Sequence, residues 1–513
     1  MQINQNTAES NSQNVSPIHQ SNIENDTHIL EMLAKPVYID GAWILPFIQG
    51  GKGVGVTNGV NAGAWAAENA GGTIAATGAA ISYDENGREL PYEYAGRSRH
   101  KRHDEMVAVS IQGCILQVQT AFKSAGSKGR VRINFLKMAG GSMRIMQGVL
   151  AGTRLPDDRN MINAVTMGAG LPTEEDAQIC VDEGVFLDPI ISSTMALKVL
   201  LRRTFKKWSG KYDEVIGAVV YEDPWLAGGH NGITSREDPN EPKPPYERVK
   251  ELRAIMNDNG MEKVAIIMAG GVWYMRDWQN WLDNPEIGPI AFQIGTRDLL
   301  TRENPIVDEW KHLILSMKKG DVALNKFSPT GFYSSAYQNT MMRELFERST
   351  RQVEFATKPD NKMSKKIIGP GVPAKGFWVS IPDKEKVDGW VGKGFIAPLR
   401  TPDNTLIFVT PDEALEFKLD KTECVGCLVT CNLSAWSQTP DTKYTTGRLP
   451  DPRVHCIRKG LLGAIKGDDL DNQLIFAGHN AYMAGEDPFY RAKNGDVFIP
   501  TVKQLIARLI TGD

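Results

Sequence analysis

Between residues 40 and 300 the chain repeats one pattern: a short apolar run bounded by Gly, Pro or Asp, then a longer amphipathic stretch. The runs are Ile44–Ile48, Thr73–Thr77, Val131–Phe135, Asn163–Met167, Val185–Ile191, Ile216–Tyr221, Val264–Met268 and Pro289–Ile294. They are too short for helices and rich in β-branched or apolar residues, so they read as strands. Helix-like segments such as Ser193–Trp208 and Tyr246–Asn257 lie between them. Near-continuous apolar strands separated by helices form a parallel sheet covered on both faces. Eight such strands point to an α/β fold, a closed (β/α)8 barrel of TIM type, with an open doubly wound sheet as the alternative.

The rest of the chain is organised around that repeat. Residues 1–30 are rich in Asn, Gln and Ser, too polar to repay their ordering entropy, and read as a disordered tail. They lack the basic-then-apolar order of a secretory signal, and no run of 18 or more apolar residues occurs, so a cytoplasmic location is the default expectation. The barrel is expected over 35–325, with an insertion at about 79–130 that carries a helix, Glu105–Phe122. Residues 326–513 read as a C-terminal region packed on the barrel, ending in a helix at Val502–Ile510. With 58 Lys and Arg against 61 Asp and Glu, the formal charge of −3 gives no reason to expect nucleic acid or an anionic membrane as partner. Oligomeric state is not legible.

Glycines after strands carry the chemistry. Gly50, Gly51, Gly53 and Gly55 follow the first strand, Gly270 and Gly271 the seventh, and Gln293, Gly295 and Thr296 close the eighth. Glycine there lets backbone N–H groups approach a ligand and form a nest for anions, and loops after strands seven and eight of such barrels often build a phosphate site. After the sixth strand, Gly228 and Gly229 precede His230, with Gly232 beyond. This places an imidazole at the barrel mouth, where it can exchange protons; a plain loop histidine bonded to backbone is the alternative.

The runs LPFIQGGKGVG, TMGAGLP, AVVYEDPWLAGGHNG, IIMAGG and AFQIGTRDLLTRE, in that order, resemble the nitronate monooxygenase family, formerly called 2-nitropropane dioxygenase, which includes the flavin-containing enoyl-acyl-carrier-protein reductases. The resemblance spans about 40–305 and resumes in GLLGAIKGDDLDNQLIFAGHNAYM. It implies a barrel holding FMN non-covalently, with the ring over the strand C-termini. By position, Gly50 and Gly51 would lie against the ring edge, Asn134 would contact the ring, and Lys198 matches a lysine near the flavin. Gly228, Gly271, Gln293, Gly295 and Thr296 would hold the phosphate and ribityl chain, with Gly229 and Gly270 beside them and Glu222 as the acidic contact. His230 matches the catalytic histidine.

Three departures stand out. Lys52 occupies a position usually held by Met, and would either put a cation beside the flavin or point to solvent. The turn Glu222-Asp223-Pro224-Trp225-Leu226 is one residue longer than the family's. The insertion carries Arg97-Ser98-Arg99-His100-Lys101-Arg102-His103, read as a solvated loop or as a contact for nucleotide phosphate or an acyl carrier.

Cys424, Cys427 and Cys431 form C-x2-C-x3-C, with Cys456 further on. Four such thiolates suit a [4Fe–4S] cluster or structural zinc; reduced, buried cysteines without metal are the alternative. Some family members carry a similar CxxCLxxC…CI pattern, which Leu428 and Ile457 fit. Cys114 and Cys180 read as core thiols.

The function that the resemblance implies is FMN-dependent oxidation of a nitronate or similar small carbanion with O2. An NAD(P)H-dependent enoyl or related reductase on the same barrel is the alternative, and a non-catalytic, metal-stabilised scaffold a third. The flavin glycines with His230 argue against the scaffold, because packing needs neither.

Overall fold

The computed structural model describes residues 31–79, 94–233, 237–368, 372–373, 375–439 and 444–513. The polar N-terminal tail and part of the insertion lie outside them. Eight parallel strands close into a barrel: β1 (Phe47–Gln49), β2 (Gly71–Ala75), β3 (Arg130–Leu136), β4 (Ala164–Gly168), β5 (Phe186–Ile191), β6 (Ala218–Glu222), β7 (Ala265–Ala269) and β8 (Ile290–Ile294). Closure is made by β8 on β1, Phe292 opposite Phe47 and Gln293 opposite Ile48. Seven of the apolar runs overlap these strands along most of their length, and the first only at Phe47 and Ile48.

Alternation along each strand sorts the side chains. In β7, Ala265, Ile267 and Ala269 belong to the cluster filling the barrel, while Ile266 and Met268 belong to the layer beneath the helices. Burial on both faces explains why the strands read as continuous apolar runs; each large aliphatic contributes roughly 1.5–3 kcal/mol. The first run is the one that divides. Ile44 ends a two-stranded hairpin, Val37–Ile39 with Ala42–Ile44, whose Ile39 and Ile44 pack with Ile48, Val220 and Ile267 inside the barrel. Asp40 in that hairpin's turn lies 3.0 Å from the guanidinium of Arg132, which also pairs with Asp188. All three side chains are fully buried, so the hairpin is held by charge as well as packing.

The outer helices are α1 (Gly59–Ala67), α2 (Arg99–Ala125), α3 (Ser142–Gly152), α4 (Glu174–Asp182), α5 (Thr194–Arg203) and α6 (Pro245–Asp258). Most start on a cap legible in sequence: Asn58, Ser98, Thr173 and Ser193 each accept from a backbone N–H three residues on. After β7 and β8 come a 3-10 turn, Met275–Trp281, and two helices, Thr296–Leu299 and Asp308–Ser316.

Beyond the barrel, Val322–Asn325 and Ser334–Tyr337 form a three-stranded antiparallel sheet with Gly229–His230. A second sheet, Gln352–Glu354, Thr405–Val409 and Ala397–Arg400, has its own core of Val353, Val387, Leu406 and Phe408. The terminal helix Val502–Ile510 returns to the barrel layer through Val502, Leu505, Ile506 and Leu509. No helix among the described residues is long and apolar enough to cross a membrane.

Candidate active site

A cavity of about 600 Å³ opens at the C-terminal ends of the strands. Parallel strands all end on the same side, so loops far apart in sequence meet there. Gly50, Gly51, Asn134, Glu222, Gly228, Gly229, His230, Gly270, Gly271, Gln293, Gly295 and Thr296 all line it. Lys198 does not. It stands exposed on α5, whose inward face is Leu197, Leu200 and Leu201, and helical spacing turns position 198 away.

One wall is backbone. Among the described residues the N–H groups of Gly271, Gly295 and Thr296 donate to no protein acceptor. Three unpaired N–H groups around one cavity form a nest suited to an anion such as a phosphate. The cradle is completed from the far end of the chain: Gly478 N–H donates to Thr296 Oγ1 at 3.2 Å, and Asn480 Nδ2 donates to Gly271 O at 2.6 Å. A Cβ on Gly228 would come within 2.5 Å of the Ala477 carbonyl carbon, so this closing segment seats only against glycine. Gly271 has φ +76° and its Cβ would meet Leu226 at 2.8 Å, whereas a Cβ on Gly295 would meet no protein atom within 4 Å and would project into open space. Neither packing nor a positive φ requires glycine at 295.

His230 is fixed by the three-stranded sheet, paired with Ser334. Its Nε2 lies 2.6 Å from Ser328 Oγ, which in turn lies 2.8 Å from Thr330 Oγ1, and its ring meets Phe476 edge-on. Burial pushes the imidazole down to about 4, so it is neutral at pH 7. Behind it His455 is buried with neither ring nitrogen bonded, and burial, reinforced by His230, holds it neutral as well. Glu222 moves the other way: burial, then the neighbouring Asp223, pushes its carboxyl up to about 8. The cavity therefore holds a neutral base and a protonated acid at neutral pH.

Lys52 turns toward the protein. Its Nζ donates to Asp298 Oδ2 at 2.8 Å and to Gly50 O at 2.6 Å. Asp298 also accepts from Trp65 Nε1 at 2.7 Å and Gln49 Nε2 at 3.1 Å. The lysine ties the first glycine loop to the start of the loop after β8, and burial lowers its pKa against the pull of Asp298. Asn134 accepts from Thr166 Oγ1 at 2.9 Å.

The basic run is not a loop throughout: from Arg99 on it is the first turn of α2, folded onto the cysteine segment, with Arg97, His100 and Lys101 exposed. Arg102 donates to the carbonyls of Thr422, Cys424 and Gly96, and Arg99 donates to Ser434 O and stacks over Trp436. His103 Nδ1 lies 3.0 Å from Gly426 O, and His100 stacks on Tyr444. The four cysteines share an apolar cluster with Leu428, Leu433 and Trp436. Cys424 Sγ is turned to Ser434 Oγ and the Gly426 N–H, while Cys427 lines the barrel cavity. Burial raises the thiols of Cys427, Cys431 and Cys456, the last to about 12. No group of three or more His, Cys, Asp or Glu among the described residues is placed to hold a metal ion, so the expected [4Fe–4S] or zinc centre finds no support in this geometry.

Ser328, Phe476, Gly478 and Asn480 were not in the expected set. The last three lie in the closing segment, where the AGHN run was the available sign; nothing local marks Ser328.

Searched against solved structures, the chain is similar to the enoyl reductase domain of MlnA from the macrolactin biosynthesis cluster of Bacillus amyloliquefaciens, at 9% identity and a TM-score of 0.50, over 91% of this chain and 93% of that one. FabK from Thermotoga maritima gives 13% identity and a TM-score of 0.46 over 94% and 95%. A nitroalkane oxidase from Streptomyces ansochromogenes gives 15% and 0.39 over 61% and 81%. Likeness at this level concerns the fold. No curated protein matches the chain. A family model described as nitronate monooxygenase matches residues 142–511, from the third barrel helix to the last turn of the chain, and the chain therefore belongs to the nitronate monooxygenase family.

Proposed function

We propose that this chain is an FMN-dependent oxidoreductase that oxidises a nitronate, or a similar carbanion, with O2. The observation that carries this reading is the placement of neutral His230 across one cavity from the unpaired N–H groups of Gly271, Gly295 and Thr296. Those N–H groups, with Gly228 and the closing segment, would hold the FMN phosphate, and Gly50, Gly51, Asn134 and Gln293 would border the ring. When bound, FMN would supply the redox chemistry that links substrate oxidation to O2. His230 orients the substrate and, for a neutral nitroalkane, takes its α-proton at a ring nitrogen, with Ser328 fixing the ring's rotation. Protonated Glu222 adds no negative charge near an anionic substrate.

The test is anaerobic reduction of the purified yellow protein. Addition of propyl-2-nitronate should bleach the flavin band near about 450 nm, an expectation of flavin chemistry, and air should restore it. Bleaching by NADPH but not by nitronate would replace this reading with the reductase; a protein purified without flavin that takes none up would remove both.

A further inference from the structure

The cavity is longer than its glycine cradle. Its outer part is walled by Met106 of α2, Ile145 of α3, Leu171, Phe332, Leu428 and Leu461, an apolar lining with one cation at its edge. That cation is Arg458, in the first turn of the helix Ile457–Lys466. Its Nη2 donates to Tyr94 Oη at 3.2 Å, and its guanidinium lies 5.1 Å from the centre of the Tyr94 ring. Among the described residues it meets no carboxylate and no other hydrogen-bond acceptor, which leaves most of its five N–H donors unused. Three other buried or half-buried arginines are committed: Arg253 to four backbone carbonyls, Arg132 to Asp40 and Asp188, Arg248 to Glu237 and Ser192 O. Lys52, the other cation on the cavity wall, is held by Asp298. An aromatic platform that orients a guanidinium while leaving its fork free is a site for an oxyanion.

We propose that Arg458, oriented by Tyr94, is an anion anchor, and that the natural substrate is amphipathic: an apolar chain lying along Met106, Ile145 and Leu461 and ending in a carboxylate or phosphate. The inference rests on the reading that this cavity is the substrate site. Its test is calorimetric titration of the purified flavin-loaded protein with octanoate, octyl phosphate and 1-octanol, which share a chain and differ in the head. Octanoate or octyl phosphate should bind at least about tenfold more tightly than octanol, the scale of a charge-assisted pair, and the gap should narrow with added salt. Whichever of the two binds better identifies the head group. Arg458→Gln should abolish the gap with flavin content unchanged, and Arg458→Lys should restore part of it. Equal affinity for all three, no binding of any, or a gap that survives Arg458→Gln would overturn the proposal. Calorimetry reads binding without turnover, so failure of nitronate oxidation with an intact Arg458-dependent gap would remove the reaction and leave the anchor.

Discussion

Glu222 offers a sharp test of the electrostatics. It ends β6 at the cavity floor, no described cation pairs with it, and burial with Asp223 beside it holds its carboxyl near 8 against an ordinary 4.5. Over the interval between those values the unfolded chain releases a proton that the folded chain keeps. The folded state binds the extra proton, so this contribution to stability is fully present below pH 4.5 and falls as the pH rises to about 8. At about 1.4 kcal/mol per decade the whole interval amounts to roughly 5 kcal/mol as an upper bound. Water in the cavity beside the carboxyl reduces this to roughly half. Glu222→Gln keeps the shape and cannot ionise. Its urea midpoint should match the wild type at pH 5 and exceed it at pH 9 by an amount equivalent to about 2–3 kcal/mol. Tryptophan fluorescence can follow both proteins in parallel, since the chain has 11 tryptophans. An offset that is the same at pH 5 and pH 9, or a variant less stable at pH 9, would refute the reasoning that Glu222 is held protonated by its surroundings.

The other predictions concern the site and its lid. His230→Ala should keep flavin and lower turnover by about two to four orders of magnitude, the range for a lost acid–base group; stopped-flow reduction measures it. Gly295→Val should yield folded protein with little flavin, because its Cβ meets no protein atom within 4 Å and the branch it carries would occupy the proposed phosphate space; the flavin-to-protein absorbance ratio reads this directly. Arg102→Ala should strip donors from the Thr422 and Cys424 carbonyls, costing about 1–3 kcal/mol locally. Hydrogen exchange should quicken over 422–428 while the barrel strands keep their protection.

The barrel was legible because its physics is local. A strand buried on both faces must be apolar throughout, and a parallel strand must be followed by a crossover, so the eight runs could be read one at a time. Ile44 misled because a plug inside a barrel is as apolar as the strand it feeds; only the turn at Asp40 and Gly41, with φ +52° and +80°, separates hairpin from β1. Lys198 shows the reverse error. Its carry-over rested on sequence position, although the pattern Leu197, Leu200, Leu201 already assigned the inward face to its neighbours. The basic run was misread because seven polar residues in a row look like a solvated loop. Ser98 with its N-cap geometry was the local sign of a helix start, but the acceptors that absorb the charges, the carbonyls near 422–426 and at 434, lie more than 300 residues away.

That distance has a consequence for how the site is built. His230 stands in a sheet whose other strands are Val322–Asn325 and Ser334–Tyr337, so a boundary drawn at 325 runs through the element that orients the imidazole. The anion cradle repeats the arrangement: its N–H groups come from the barrel, while the groups that brace them, Gly478 and Asn480, come from the closing segment. The outer wall does so a third time, with Met106 from α2 facing Leu428 and Leu461 from beyond the barrel. In the first two cases the barrel supplies the candidate group and the C-terminal chain braces it; in the third the two share one apolar wall. The barrel loops alone would leave His230 without its Ser328 partner and without the strand that holds it. Ser328, Ser334, Gly478 and Asn480, all beyond position 325, are therefore as much a part of the candidate site as the barrel loops they brace.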